Sequence, residues 1–376
     1  MERVARILKK PLTATLLAIF FGFIVGAIVL AIAGYNPILA FGSLFRGVFS
    51  KPKYIANVII QSTPIILTGL SVAFAFKTGL FNIGAEGQYI VGAITAGILG
   101  YELHLPAALQ VVVVMTAAIV VSALYGGIVG LLKAKFGIHE VITCIMLNWV
   151  ALYLNNFLVN LSAFKAPNSQ SMYKIQDSAY TTLFYNWKTS AGGLKWLEGH
   201  PILKEIFLRT DLNIGFLVAV IMVIAVTLFL KRTTKGFELR SVGFNKDAAE
   251  FAGISVKSNI ILSMVIAGGL AGLAGALQVT GVEPHRISIL AAFENNGFNG
   301  LSVALIANSS PVGCLFAGLL FGGLLYGGSS IQSEIGAPSE IINIMIGTIV
   351  FFIALANIFL IIANKLKKRS EKRDVH

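Results

Sequence analysis

Runs of about 20 apolar residues recur from one end of this sequence to the other. Each is long enough to cross a bilayer as a helix. Such runs leave few folds open, because in lipid every backbone polar group must be satisfied within the segment or in a closed barrel. A barrel would show short alternating segments, so the expected fold class is all-α, a polytopic transmembrane helical bundle. Composition agrees: 56% of residues are hydrophobic and only 12% charged, against about a quarter charged in soluble domains. Ten spans are expected, at about 12–34, 54–76, 84–100, 107–132, 138–163, 212–230, 259–280, 289–308, 312–330 and 339–363.

The formal charge is +12. Nucleic-acid binding is one reading of so basic a chain, but the location of the charge argues for topology. With ten spans both termini share one side, and 19 of the 29 Lys and Arg residues fall there. The positive-inside rule then puts both termini in the cytoplasm, with anionic lipid as a further contact. The opening MERVARILKK and its apolar run could be a signal peptide, but the run exceeds a typical h-region and is read as a retained first span. Cys144 and Cys314 fall inside spans and read as small buried apolar residues, not as a disulfide or metal site.

The expected domain organisation is one transmembrane domain over 1–376 with two long loops. Residues 164–210 form a polar extracytoplasmic loop carrying Trp187, Trp196, Tyr173, Tyr180 and Tyr185, with a short amphipathic helix near 201–209. Those aromatics either anchor to headgroups or meet a partner. The second loop, 231–258, is cytoplasmic. In it Asn245 caps a short helix that Gly253 ends, and Ala248, Ala249, Phe251 and Ala252 give it a small apolar surface. Two helical turns are not stable alone, so this helix packs on the chain or on a soluble partner. A faint inverted repeat pairs Glu140-Val-Ile-Thr-Cys-Ile-Met with Glu340-Ile-Ile-Asn-Ile-Met, each preceded by a glycine, Gly137 or Gly336. Inverted repeats are common in transport proteins; chance similarity between apolar helices is the alternative.

No P-loop, no metal-ligand spacing and no nucleophile elbow occurs in the sequence. No catalytic constellation supports an enzyme, and no metal or cofactor is expected on this chain. What stands out is polar groups at membrane depth. One set is Asn82, Glu86 and Gln88 within FNIGAEGQ, another is Glu294, Asn295, Asn296 and Asn299, and a third is Asn148, Asn155 and Asn156 on the fifth span. Unpaired, such groups cost several kcal/mol in hydrocarbon, so they face a bundle interior or a water-filled path. Asn82 is read as the N-cap of the third span, with Glu86 in its first turn suiting the helix dipole. Either that is all these residues do, or this broken helix start borders a substrate path.

GLFNIGAEGQ at 79–88 resembles the signature of the ABC-importer permeases for branched-chain amino acids, simple sugars and nucleosides. FELRSVGFNKDAAEFAGISV at 237–256, AGGLAGLAGAL at 267–277 and GFNGLSVALIANSSPVG at 297–313 fit the same family in order. Asn-Ile-Gly-Ala-Glu-Gly-Gln looks most like its nucleoside-uptake branch. One departure is Ile306-Ala-Asn-Ser-Ser-Pro311, where the family often has a Gly and a basic residue before the Pro.

The resemblance implies an ATP-driven importer in the bacterial plasma membrane, with purine nucleosides favoured as cargo. It implies a second, related permease chain, cytoplasmic ATPase subunits that hold ATP and Mg, and an extracytoplasmic substrate-binding lipoprotein. Gly243, Asn245, Ala248, Ala249, Phe251 and Gly253 would then form the ATPase-coupling segment. Asn82, Glu86, Gln88, Asn148, Asn155, Asn295, Asn296 and Asn299 would border the substrate path. A simple sugar or branched-chain amino acid as cargo is one alternative, and an ion-coupled secondary transporter is another.

Overall fold

The computed structural model describes residues 11–338 and 340–355. The termini, expected in the cytoplasm, lie outside the described residues. Among the described residues the fold is all helical, with only isolated β-bridges. Six helices among the described residues are long and apolar enough to cross a membrane.

The chain forms two compact units, one within residues 1–50 and 323–376 and the other over 51–322. In the first, α1 (Pro11–Ile32) precedes α2 (Pro37–Phe49), a helix that the expected spans omit. Asn36 starts it by accepting from the Ile38 and Leu39 N–H groups, with Pro37 at the first helical position. Ser43 and Arg46 of α2 reach Glu334, at 2.6 and 2.9 Å.

The second unit holds nearly everything of functional interest. Its central helices are α3 (Pro52–Lys77) and, further on, α13 (Val256–Gly281). Both are apolar and mostly buried within the unit, as expected of helices hydrophobic on all sides. Around them run α4 (Ala85–Glu102), α5 (Ala107–Phe136) and α6 (Glu140–Val159). The glycine-rich faces are what allow this packing. A Cβ at Gly92 of α4 would lie 2.1 Å from the Gly272 carbonyl oxygen of α13, and one at Gly275 would lie 2.0 Å from the Tyr89 carbonyl oxygen. Backbones this close exclude any larger residue.

The segment 160–214 carries a 3-10 turn (Asp177–Ala179) and three short α-helices, α7 (Tyr185–Lys188), α8 (Ala191–Glu198) and α9 (Pro201–Leu208). The amphipathic helix expected near 201–209 is α9. The segment is tied to the chain after α13. Met172 N–H donates to Ile287 O (2.8 Å), Ile175 N–H to His285 O (3.0 Å) and Thr181 N–H to Thr280 O (2.9 Å). His285 is buried, stacks on Tyr180 with ring centroids 4.0 Å apart, and donates from Nδ1 to Val279 O at 3.2 Å.

After α10 (Gly215–Arg232) the loop expected at 231–258 contains two helices, α11 (Thr234–Phe244) and α12 (Lys246–Phe251). The α12 boundaries follow the sequence reading. Asn245 Oδ1 accepts from Ala248 N–H at 3.0 Å, and Gly253 ends the helix with φ +81°. The α11 helix was not legible, since its sequence is polar and contains two glycines. Leu239 and Val242 are its buried contacts.

The eighth span, expected as a helix over 289–308, is corrected. Only α14 (Asn296–Ile306) is helical there, 11 residues. At 1.5 Å per residue that is about 16 Å, roughly half of a bilayer core. Residues 286–295 before it are non-helical. The reason is tertiary: side chains of α6 satisfy that backbone. Asn155 Nδ2 donates to Ser288 O (2.9 Å), Asn156 Nδ2 donates to Leu290 O (2.9 Å), and Leu290 N–H donates to Asn156 Oδ1 (2.8 Å). Beyond α14 come α15 (Pro311–Ile335) and α16 (Glu340–Ala354). Gly137 before α6 and Gly336 before α16 share a left-handed φ, +70° and +73°, so the two halves of the faint repeat begin with the same local geometry.

Candidate functional site

The first polar set lies where α3 gives way to α4. Asn82 is fully buried, but it does not cap α4 as expected. The N-cap is Gly84, with no side-chain cap. Asn82 is held away by a closed amide pair. Its Nδ2 donates to Gln88 Oε1 (2.8 Å) and Ser71 Oγ (3.1 Å), and Gln88 Nε2 donates back to Asn82 Oδ1 (3.1 Å). The start of α4 is satisfied from α6 instead. Gly87 N–H donates to Asn148 Oδ1 at 2.8 Å, and Asn148 Nδ2 donates to Ile83 O at 3.1 Å. Asn148, Asn155 and Asn156 therefore share one role: they bond irregular backbone at two depths along α6.

Glu86 is 0% exposed. Its two carboxylate oxygens accept from the backbone N–H groups of Asn295 (2.9 Å) and Gly297 (2.6 Å). These are orphan donors at the N-terminus of α14, whose own N-cap, Asn295, sits at φ +65° and offers no side-chain cap. Glu86 is thus a cap, but for a helix more than two hundred residues away in sequence. Gly297 is required there, because a Cβ would meet Glu86 N at 2.2 Å. Thr68 Oγ1 of α3 adds a bond to Asn296 O at 2.9 Å.

Beside this junction a cleft of about 160 Å³ opens along 282–294. Ile90, Ala93, Val279, Ile287 and Leu290 form its apolar walls, and Tyr89, Asn155, Gln278, Arg286 and Glu294 bring polar groups to it. Tyr89, 1% exposed, donates its hydroxyl to Glu294 Oε2 at 2.8 Å and accepts from Asn296 Nδ2 at 2.9 Å. Of the expected path residues, Asn155 lines the cleft, and Asn296 bonds to Tyr89 and Glu294, which line it. Asn82, Gln88 and Asn148 lie in the lock around 82–88, and Asn299 lies one turn into α14. Tyr89, Gln278, Arg286 and Glu294 were not singled out as path residues. The charged Arg286 and Glu294 within an otherwise apolar run are the signal that could have found Arg286 and weighted Glu294.

On the other side of the lock, α11 touches the end of α3. A Cβ at Gly243 would lie 2.2 Å from Lys77 O, and one at Gly79 would lie 3.4 Å from Gly243 Cα. Next to α12 an apolar groove is lined by Phe237, Phe244, Ala248, Ala249, Ala252 and Ile254. The expected apolar surface is corrected in one respect. Ala249 is 4% exposed and packs inward, whereas Phe244 and Phe251 are 95% and 97% exposed. Glu238 on α11 takes a hydrogen bond from Lys235 at 2.8 Å and another from Asn259, which hold its carboxyl below the usual range.

Long apolar helices packed through glycine-rich faces, with polar side chains bonding a non-helical segment ahead of the short α14, suit a multi-pass membrane permease. The family model "Branched-chain amino acid transport system / permease component" matches residues 54–355, and the chain belongs to this family. It is 37% identical to the guanosine ABC transporter permease protein NupP of Bacillus subtilis, covering 95% of this chain and 97% of that one. It is also 37% identical to the nucleoside ABC transporter permease protein NupB of Lactococcus lactis, over 95% and 94% of the two chains. Identity to the glucose ABC transporter permease protein TsgB13 of Haloferax volcanii is 30%, over 89% and 85%. No solved structure matches the chain.

Proposed function

We propose that this chain is the membrane permease subunit of an ATP-driven importer of nucleosides, with purine nucleosides favoured, in the bacterial plasma membrane. The observation that carries the reading is the end-to-end similarity to NupP and NupB, permeases of guanosine and nucleosides by name. The same organisms hold a second matching permease each, NupQ and NupC, which supports pairing with a related but distinct chain. ATPase subunits carrying ATP and Mg, and a substrate-binding lipoprotein, complete the assembly we propose. In it the chain has ten crossing segments, one of them half extended and half helical, and both termini are cytoplasmic.

The chain's own part in transport follows from contacts. The exposed Phe244 and Phe251 and the groove beside α12 dock on the ATPase. Closure of the ATPases moves α11 and α12. The close approach of Gly243 to Lys77 and Gly79 passes that movement to the 79–88 turn. Glu86, rooted in α4 and bonded to the head of α14, carries it on to the half-helical span and the cleft beside it. The bonds are rigid and directional, so both sites bias one element, the physical requirement for coupling. A nucleoside suits the cleft because amide, hydroxyl and carboxylate groups are set among apolar walls that can flank a base.

The test is uptake by cells that express the transporter and lack other nucleoside uptake. Nucleoside uptake that stops when the partner ATPase is inactivated supports the reading, and uptake that continues under an ion gradient alone overturns it. The relation to TsgB13 favours a simple sugar as the second reading, which ribose or glucose competition in the same assay would reveal.

A further inference from the structure

Glu294 stands in the cleft without an ion pair among the described residues, and its Oε1 has no hydrogen-bond partner there. Its Oε2 is held by the Tyr89 hydroxyl at 2.8 Å and, at the long distance of 3.4 Å, by Asn296 Nδ2. The Tyr89 side chain is buried and is itself fixed by Asn296 Nδ2 at 2.9 Å, so the carboxylate is anchored at one oxygen and presented by the other. A carboxylate accepts at about four sites. Oε1 is therefore available, and a ligand with two donors side by side can take it together with the site on Oε2 that Asn296 holds only at 3.4 Å. The apolar walls Ile90, Val279, Ile287 and Leu290 stand in the same cleft, where a flat ring can lie while its edge meets Glu294.

We infer that Glu294 is a specificity-determining residue that reads the base, and that it selects guanine; this rests on the nucleoside reading above. Guanine presents N1–H and its 2-amino group as adjacent donors, matching the two oxygens of a carboxylate. Adenine presents an acceptor, N1, beside its 6-amino donor, so one carboxylate oxygen meets a lone pair. Cytosine has the same mismatch at N3, and uracil offers a single donor between two carbonyls. Glutamine at this position reverses the preference. With its carbonyl oxygen held by Tyr89, the amide donates to adenine N1 and accepts from the 6-amino group. No proton transfer or covalent step is involved.

The experiment uses the complete transporter in cells that lack other nucleoside uptake, with the same binding protein throughout, so that any change belongs to this chain. Initial rates are measured for labelled guanosine and adenosine at matched saturating concentrations. A bidentate base contact discriminates by a factor of about ten or more. Glu294→Gln is expected to lower the guanosine-to-adenosine rate ratio by at least about tenfold, while Glu294→Asp keeps the wild-type order. Both nucleosides transported by Glu294→Gln at the wild-type ratio would overturn the inference and leave the nucleoside reading standing. If Glu294→Gln does not reach the membrane, Tyr89→Phe, which removes the anchor, is expected to lower the ratio by a smaller factor, and an unchanged ratio there overturns the inference equally. A wild-type transporter that takes up neither nucleoside but does take up a sugar removes the nucleoside reading, and this inference with it.

Discussion

Removing the Glu86 carboxylate tests whether a residue at membrane depth is a helix cap or a substrate ligand. The carboxylate accepts two backbone N–H groups, from Asn295 and Gly297, in a site with no exposure. A buried donor left without a partner costs about 1–3 kcal/mol. Glu86→Ala orphans both and should cost about 2–6 kcal/mol on that basis. Glu86→Gln keeps one acceptor but turns an amide N–H toward the other donor, for about half that loss, roughly 1–3 kcal/mol. The two variants should therefore lose stability in the order Ala, then Gln. The readout is the temperature at which detergent-solubilised protein loses its monodisperse size-exclusion peak, followed by fluorescence. Both variants melting with the wild type, while nucleoside affinity falls, would refute the assignment and make Glu86 a ligand.

Other expectations follow from the same contacts. Asn156→Leu removes both bonds to the Leu290 backbone and should cost about 2–6 kcal/mol for two orphaned groups, measured by the same melt; a wild-type melt would show that the 286–295 segment is held otherwise. Phe251→Ala should leave stability unchanged, because the ring is 97% exposed, yet reduce transport and co-purification of the ATPase. Ala249→Arg should unfold the 245–254 loop itself, since Ala249 packs inward, and equal melting of the two variants would contradict this. His285 is held below its ordinary pKa mainly by burial, with Lys174 adding to the effect, while a Val279 hydrogen bond and the charges of Asp211 and Glu283 oppose it. The unfolded chain then binds the proton more readily, so stability is full above about pH 6.5 and falls as pH drops through that region. Less pH dependence of melting between pH 7 and 5 in His285→Gln is the expected result, and an unchanged slope would assign the dependence elsewhere.

Much of this architecture was legible because it is written locally. Apolar runs give the long helices, and Asn245 and Gly253 bound α12 as capping chemistry dictates. What was not legible depends on distant partners. Ile289, Leu290 and Phe293 read as the start of a helix by hydropathy, but Asn155 and Asn156 supply hydrogen bonds to the backbone there from more than 130 residues away. Asn82 looks like an N-cap in its own sequence, and only the fold shows that Gln88 and Ser71 claim it while Asn148 serves the helix start. Asn36-Pro37 was a readable start signal for α2, though the 13-residue helix it opens is shorter than the expected spans. The polar stretches were visible as anomalies. Their division into a buried lock and an open cleft was not, because solvent access is a property of the packed bundle.

The most direct test of the account is labelled guanosine uptake with and without this chain, in cells expressing the partner subunits and lacking other nucleoside transport. Unlabelled adenosine, uridine, ribose and leucine serve as competitors. The account predicts uptake that requires this chain and a competent ATPase and is blocked by nucleosides, with ribose and leucine without effect. Uptake unaffected by loss of the chain, or blocked by ribose or leucine in place of nucleosides, would contradict it.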